Sequence, residues 1–323
     1  MKRLILFLVC MSSLSIGQLA AQQLPLYNIY RDHWNVLNPA AISNNFLINE
    51  WSQSVGLSYR HQWFGIEDAP RTQVVNYEFV RDDLNSVFGG HLINDRTGKI
   101  SQTGAYAQYA YRVNFGQRVD QALVVGLNAG LVQYRAKLSQ IQFAQQEEQP
   151  MMDDNVIYPD FGLGVFYHYS DRYYAGLSVP QTLGLDTRFQ AGEDLGEFPV
   201  ERVQHVYAIV GGYFQVTWFG NETSFVEPSA WVKYVPNAPL QWDINARYQI
   251  SELVWVGAGT GSGFGDEFSM SLHLESGLIL GEQSGFYNGQ LKIGTGFDLL
   301  LLGGYGADFK SAIEINAIYS FGE

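Results

Sequence analysis

The 323-residue sequence has one cysteine, Cys10, near its start. That scarcity excludes a disulfide framework and any cysteine-built zinc site. Charge is scarce as well. Asp, Glu, Lys and Arg make up 16% of the chain, against roughly 25% in a typical soluble domain. Cations are the rarer sign, 19 Lys and Arg against 32 Asp and Glu, for a formal net charge of −13. Non-specific nucleic-acid binding needs Lys and Arg to displace counterions, so this balance argues against it. What the chain has in quantity is aromatic: 20 Tyr, 20 Phe and 7 Trp, with 34 Gly. Such a composition argues against disorder.

The first residues read as an export signal. Lys2 and Arg3 form a basic start, Leu4 to Gly17 an uncharged apolar stretch, and Ala20 and Ala21 a small-residue cleavage site. The apolar run is too short for a comfortable membrane span. Lipoprotein processing at Cys10 is disfavoured, because bulky Val9 stands where that signal wants a small residue. No later segment reads as a transmembrane helix.

The body of the chain alternates with period two. Leu240, Trp242, Ile244, Ala246, Tyr248 and Ile250 share one face, and Gln241, Asp243, Asn245, Arg247 and Gln249 the other. Phe268, Met270, Leu272 and Leu274 oppose Ser269, Ser271, His273 and Glu275 in the same way. Repeating segments of about ten residues separated by turns are the signature of an outer-membrane barrel. The pattern predicts about fourteen strands, at 52–62, 72–80, 86–94, 102–113, 122–135, 159–169, 172–179, 202–215, 224–235, 240–250, 253–261, 267–280, 289–300 and 309–321. The last is an apolar-outward row, Ile313, Ile315, Ala317, Tyr319 and Phe321. With both barrel ends periplasmic, the long connections 136–158 and 180–201 fall outside. The tight ones, Ser170-Asp171 and Ser251-Glu252, fall inside, as barrels of this class require. A soluble sandwich shows similar alternation, but the export signal and the aromatic excess favour the barrel. The expected fold is therefore all-β: a transmembrane outer-membrane β-barrel of about 14 antiparallel strands with a short N-terminal periplasmic or plug segment. The expected organisation is a signal peptide over 1–21, the N-terminal segment over 22–51 and the barrel over 52–323.

A family resemblance narrows the function. Gln23-Leu24-Pro25-Leu26-Tyr27-Asn28-Ile29-Tyr30 is followed by Leu37-Asn38-Pro39-Ala40-Ala41, by Tyr59-Arg60-His61-Gln62-Trp63, and by Ala69-Pro70-Arg71-Thr72. In this order the segments resemble the PorP/SprF family of the type IX secretion system of Bacteroidota. The resemblance implies an outer-membrane location in a Gram-negative bacterium and a role without catalysis. It implies as partners the secretion machinery (periplasmic ring or lipoprotein components), a secreted adhesin-like cargo of the kind used in gliding motility, and outer-membrane lipid. A passive channel or solute transporter is the alternative, and a lipid-modifying barrel enzyme a third reading.

The candidate plug or partner-binding residues are Tyr27, Asn28, Tyr30, Trp34, Asn38, Pro39, Arg60, Gln62, Trp63 and Pro70. A fourteen-strand lumen falls between small filled barrels and open porins and needs filling or gating. The segment 22–51 is read either as a plug or docking arm at the periplasmic mouth, or as an ordinary tucked-in terminus. Alternation puts Tyr59, His61 and Trp63 on one face, with Trp63 a girdle aromatic and Arg60 a lumen ion-pair partner. Ala69-Pro70 shapes the first outer loop. No catalytic, cofactor or metal residues are expected. The acidic groups Glu147, Glu148, Asp153 and Asp154, and Asp186, Glu193, Asp194 and Glu197, lack ordered ligand spacing and read as solvated loops. The six histidines are dispersed, and His273 and Glu275 share a polar strand face as a lumen hydrogen-bond pair rather than a catalytic dyad. Gly257, Gly259, Gly261 and Gly263 sit in strand context without a following Lys-Ser/Thr, so they mark bends or small lumen positions and not a phosphate loop.

Overall fold

The computed structural model describes residues 27–81, 85–115, 121–137, 139, 153–170, 172–184, 186–190, 197–201, 203–218, 223–236, 238, 240–264, 269–302 and 311–322. The expected signal peptide lies outside the described residues, as do Glu147, Glu148, Glu193 and Asp194.

Period-two sequence becomes antiparallel strand throughout. The strands are β1 (Gln53–Gln62), β2 (Arg71–Arg81), β3 (Ser86–Thr97), β4 (Ile100–Asn114), β5 (Gln121–Ala136), β6 (Asp154–Tyr169), β7 (Tyr173–Val179), β8 (Asp186–Gln190), β9 (Glu197–Glu201), β10 (Val206–Gly212), β11 (Phe214–Gln215), β12 (Phe225–Tyr234), β13 (Leu240–Gln249), β14 (Val254–Phe264), β15 (Ser269–Leu280), β16 (Gly289–Leu302) and β17 (Ser311–Phe321). β8 and β9 pair only with each other, and β11 carries on the ladder of β10 against β12. The remaining strands close a 14-stranded antiparallel barrel. Closure runs through β1 against β17, from Gln53↔Phe321 to Gln62↔Ala312, and through β10 against β12. A closed ladder leaves no backbone group for lipid to satisfy. Beside the closure, Ser52 N–H donates to Gly322 O at 3.1 Å.

The alternation sorts the barrel strands into a lipid face and a lumen face. On β1, Val55, Leu57 and Tyr59 are exposed, while Ser54, Ser58 and Arg60 are buried. On β17, Ile315 and Tyr319 face out and Glu314, Asn316 and Ser320 face in. On β13 the polar row Asp243, Asn245 and Arg247 is the buried one. This is the inverse of a soluble core, since here lipid solvates the apolar rows. Phe79, Phe88 and Tyr109 are in ring contact at the end nearer the termini, as are Tyr169, Tyr173 and Phe214. They form the aromatic girdle expected at a membrane interface. Among the described residues no helix is long and apolar enough to cross a membrane, which says nothing of strands.

The structure amends the expected pattern in three places. β6 begins at Asp154 rather than 159, so it rises well above its seven-residue neighbour β7. The long connection after β7 contains the β8–β9 hairpin. The tightest outer connection is the turn at Gly98-Lys99, between Thr97 and Ile100, so short turns are not confined to the periplasmic side. Asp68 from the first outer loop clasps this turn, 2.7 Å from Arg96 Nη2 and 2.5 Å from Lys99 Nζ. Hydrogen bonding from Lys99, with the charges of Lys99 and Arg96, holds the Asp68 carboxyl below its usual range.

Candidate functional site: a plugged lumen

The lumen is occupied by the chain's own N-terminal segment. Tyr27 to Ile42 is buried almost without interruption, through a 3₁₀ turn (Tyr30–His33) and a short helix (Trp34–Leu37). A second short helix, Asn44–Asn49, follows. It lies at the periplasmic mouth, where Phe46 and Leu47 pack with the cluster of Val80, Val87, Ala110, Val124, Phe166 and Tyr174. Elements this short have little stability of their own, so the barrel wall fixes the fold of the segment.

Charge fixes its register. Arg31 is fully buried and meets two wall carboxylates, Glu275 and, at 3.8 Å, Glu227. Glu275 is also held by Arg247 at 3.1 Å, and Arg247 lies 3.3 Å from Asp32. Lys292 Nζ donates to the same Asp32 oxygen at 2.7 Å. His33 Nε2 stands 3.3 Å from Glu314 Oε1. Three consecutive plug residues thus contact charges from β12, β13, β15, β16 and β17. Desolvating so many ions is costly, and this seating offsets the cost by pairing them.

Apolar and polar contacts complete the fit. Trp34 lies 4.5 Å from the ring of Tyr174 and 5.3 Å from Phe166. Tyr30 packs on Trp231, and its hydroxyl is 2.6 Å from Ser229 Oγ. Asn28 N–H donates to Glu314 Oε2 at 2.7 Å, and Arg60 Nη1 donates to Asn28 Oδ1 at 2.8 Å. Asn38 Oδ1 accepts from Ala40 N–H at 2.9 Å, and Asn38 Nδ2 donates to Val165 O at 3.0 Å. The Pro39 carbonyl accepts from Gln108 Nε2 at 2.7 Å. The wall makes room with glycine. A Cβ on Gly126 would stand 2.3 Å from the Pro39 oxygen, and one on Gly164 would stand 2.0 Å from Asn38 Oδ1. Gly126→Val is therefore expected to unseat the plug without preventing barrel assembly. Limited proteolysis would then cut between Tyr27 and Ile42. A segment as protected as in the unsubstituted protein would count against this close approach.

Of the ten candidate residues, Tyr27, Asn28, Tyr30, Trp34, Asn38 and Pro39 lie in the plug, and Arg60 contacts it from β1. Gln62 and Trp63 stand farther out, and Pro70 lies at the end of the first outer loop, where its carbonyl accepts from Gln62 N–H at 3.0 Å. Trp63 is no girdle residue. β1 ends at Gln62, and Trp63 takes a left-handed φ of 54° that carries it out of the strand's alternation to line an outer lumen cavity. His273 and Glu275 both reach the lumen but take different partners. His273 meets Asp298 and, at 3.1 Å, Asp243, while Glu275 meets Arg31 and Arg247. Gly257, Gly259 and Gly261 line the lumen face of β14, where Glu275, Asn245 and Asp243 from adjacent strands fill the space. Asp153 accepts from the N–H and hydroxyl of Ser139. Among the described residues no group of three or more His, Cys, Asp or Glu is placed to hold a metal. Arg31, Asp32 and His33 are not among the candidates. Three consecutive ionisable residues between Tyr30 and Trp34, in a stretch whose other residues are uncharged, are the signal that could have marked them.

Fold and lumen together define a class: an outer-membrane-type β-barrel whose interior is occupied by its own N-terminal segment. The family model for the type IX secretion system membrane protein PorP/SprF matches residues 19–319, and the chain belongs to that family. Two solved structures share the barrel fold. The CymD monoaromatic hydrocarbon channel is 9% identical with a TM-score of 0.52, the match covering 91% of this chain and 93% of that one. The toluene transporter TodX of Pseudomonas putida is 10% identical with a TM-score of 0.51, covering 94% and 99%. A search of curated proteins finds no match.

Proposed function

We propose that this protein is a plugged outer-membrane component of the type IX secretion system, one that supports secretion or surface attachment of a particular cargo, such as a large adhesin, without being the conduit. The observation that carries the reading is the occupied lumen. A folded protein would have to displace Tyr27–Ile42 and break the ion pairs of Arg31 and Asp32 with four wall residues. The outer loops and barrel rim remain as the surface for cargo, and the periplasmic mouth with its Asn44–Asn49 helix as the surface for ring or lipoprotein partners. The role needs no catalysis.

A clean deletion followed by proteomics of the cell surface and medium tests the reading. Loss of one or a few large surface proteins, with other secreted proteins unchanged, is the expected result. Loss of every type IX substrate would instead make the protein a core part of the machine. No change in any secreted protein would remove the secretion role and leave a passive channel or solute transporter.

A further inference from the structure

Outward of the plug, the described residues leave part of the lumen open. Among the described residues, a cavity of about 240 Å³ stands over Tyr27 and Asn28, ringed by the outer ends of β1 and of β12 to β17. Trp63 stands in its lining, and Trp242 borders it from the lipid-facing row of β13. The charged groups at the cavity are paired with one another, with Glu314 behind Arg60 as a third carboxylate. Arg60 Nη2 donates to Asp298 Oδ2 at 2.6 Å, Lys233 pairs with Asp243, and His273 bridges the two carboxylates.

That pairing selects the ligand. An ion of either sign would meet a like charge as closely as an opposite one, and a wholly apolar ligand would strip water from groups it could not hydrogen-bond. A neutral polyol does neither. Each hydroxyl both donates and accepts. The carboxylates accept from it, Gln62 and Gln241 donate to it, and the hydroxyls of Ser262 and Ser271, whose own protons go to Ser269 O and Gly261 O, accept from it. The apolar face of a sugar ring covers indole surface. The volume lies just below the span of drug-sized pockets, about right for one hexose-sized ring.

Backbone geometry at the cavity points the same way. Trp63 is a bulky residue at a φ of 54°, and its N–H donates to Ser311 O at 2.8 Å. Strain of that kind persists where the surroundings over-determine it, and it clusters at ligand clamps. The β15–β16 ladder also shifts register between Met270 and Ser271, in the wall that contributes Ser271 and Leu300 to the cavity. Bulges recur beside binding sites because they re-aim side chains. We propose that the outer cavity binds a neutral saccharide, with Trp63 as the stacking platform and Asp243 and Asp298 as hydroxyl acceptors.

The test uses the full-length barrel in a detergent without a sugar headgroup. Neutral methyl hexopyranosides are titrated against Trp emission and saturation-transfer NMR, with hexuronates and sulfated hexoses alongside. At least one neutral hexoside is expected to bind saturably in the millimolar range. Trp63→Ala should weaken it by up to about tenfold, the upper end of what one aromatic contact contributes. Trp63→Phe should retain most of the affinity, while heat-modifiable gel mobility shows both variants folded. Three results would overturn the proposal: no neutral saccharide binds, the anionic sugars bind more tightly than the neutral ones, or the folded Trp63→Ala barrel binds as the parent does.

Discussion

Deleting residues 27–42 is expected to turn a closed barrel into a conducting one. Fourteen strands enclose a lumen too wide for wall side chains alone to fill and narrower than a porin channel. What fills it here is Tyr27, Ile29, Tyr30, Trp34, Leu37 and their neighbours. The deletion also removes the partners of Glu227, Glu275, Glu314, Arg247 and Lys292. Those wall charges would not be stranded in a dry interior, because water enters the vacated lumen and resolvates them. The barrel should therefore still assemble and keep its heat-modifiable mobility, since its ladders run strand to strand without the plug. Single-channel conductance in planar bilayers should rise by roughly tenfold or more, on the argument that lumen filling separates closed barrels from porins. Unchanged conductance in a folded variant would sink the idea that this segment seals the lumen.

The single substitution Arg31→Met is expected to be harsher on stability than the whole deletion. With the plug still seated, Glu227 and Glu275 would lose Arg31 while remaining shielded from water. Removing one partner of a buried ion cluster costs about 3–5 kcal/mol, because the remaining charge has neither solvent nor counterion. Arg247 stays on Glu275 and softens the loss there, and the Tyr174 hydroxyl, which donates to Glu227 at 2.9 Å, softens it on that side. Adding Glu227→Gln to Arg31→Met should recover part of the stability, since a neutral amide is cheaper to bury than a carboxylate deprived of Arg31. Arg31→Lys should fall between, keeping the charge but losing the planar fork that reaches two carboxylates. Denaturant midpoints of the detergent-solubilised barrel, read together with protease cleavage within 27–42, give the order. An Arg31→Met protein as stable and as protected as the parent would show that the ion cluster contributes nothing to seating the plug.

Much of this architecture was legible in the chain alone. Period-two alternation is a local property of neighbouring residues, so it survives in sequence. The rows Leu240 to Ile250 and Ile313 to Phe321 showed their lipid and lumen faces without any knowledge of partners. The N-terminal segments carried the family. Arg60 as an ion-pair partner in the lumen also followed from alternation, because its face on β1 is set by parity.

Other features depended on closure. Arg31 meets Glu275 across 244 positions of sequence, and Asp32 meets Lys292 across 260. No local pattern encodes such a pair, because strand tilt and ring closure decide which wall residue faces which plug residue. For the same reason His273 and Glu275, neighbours on one strand face, were separated by partners brought in from β13, β16 and the plug. Trp63 left its expected face because one left-handed residue at the end of β1 overrode parity. The sequence by itself determined that this chain is a barrel with a particular inside and outside, since both follow from alternation along each strand. Only the tertiary structure decided that the inside is occupied and by which contacts, because pairing buried charges is a property of the closed ring and of no segment within it.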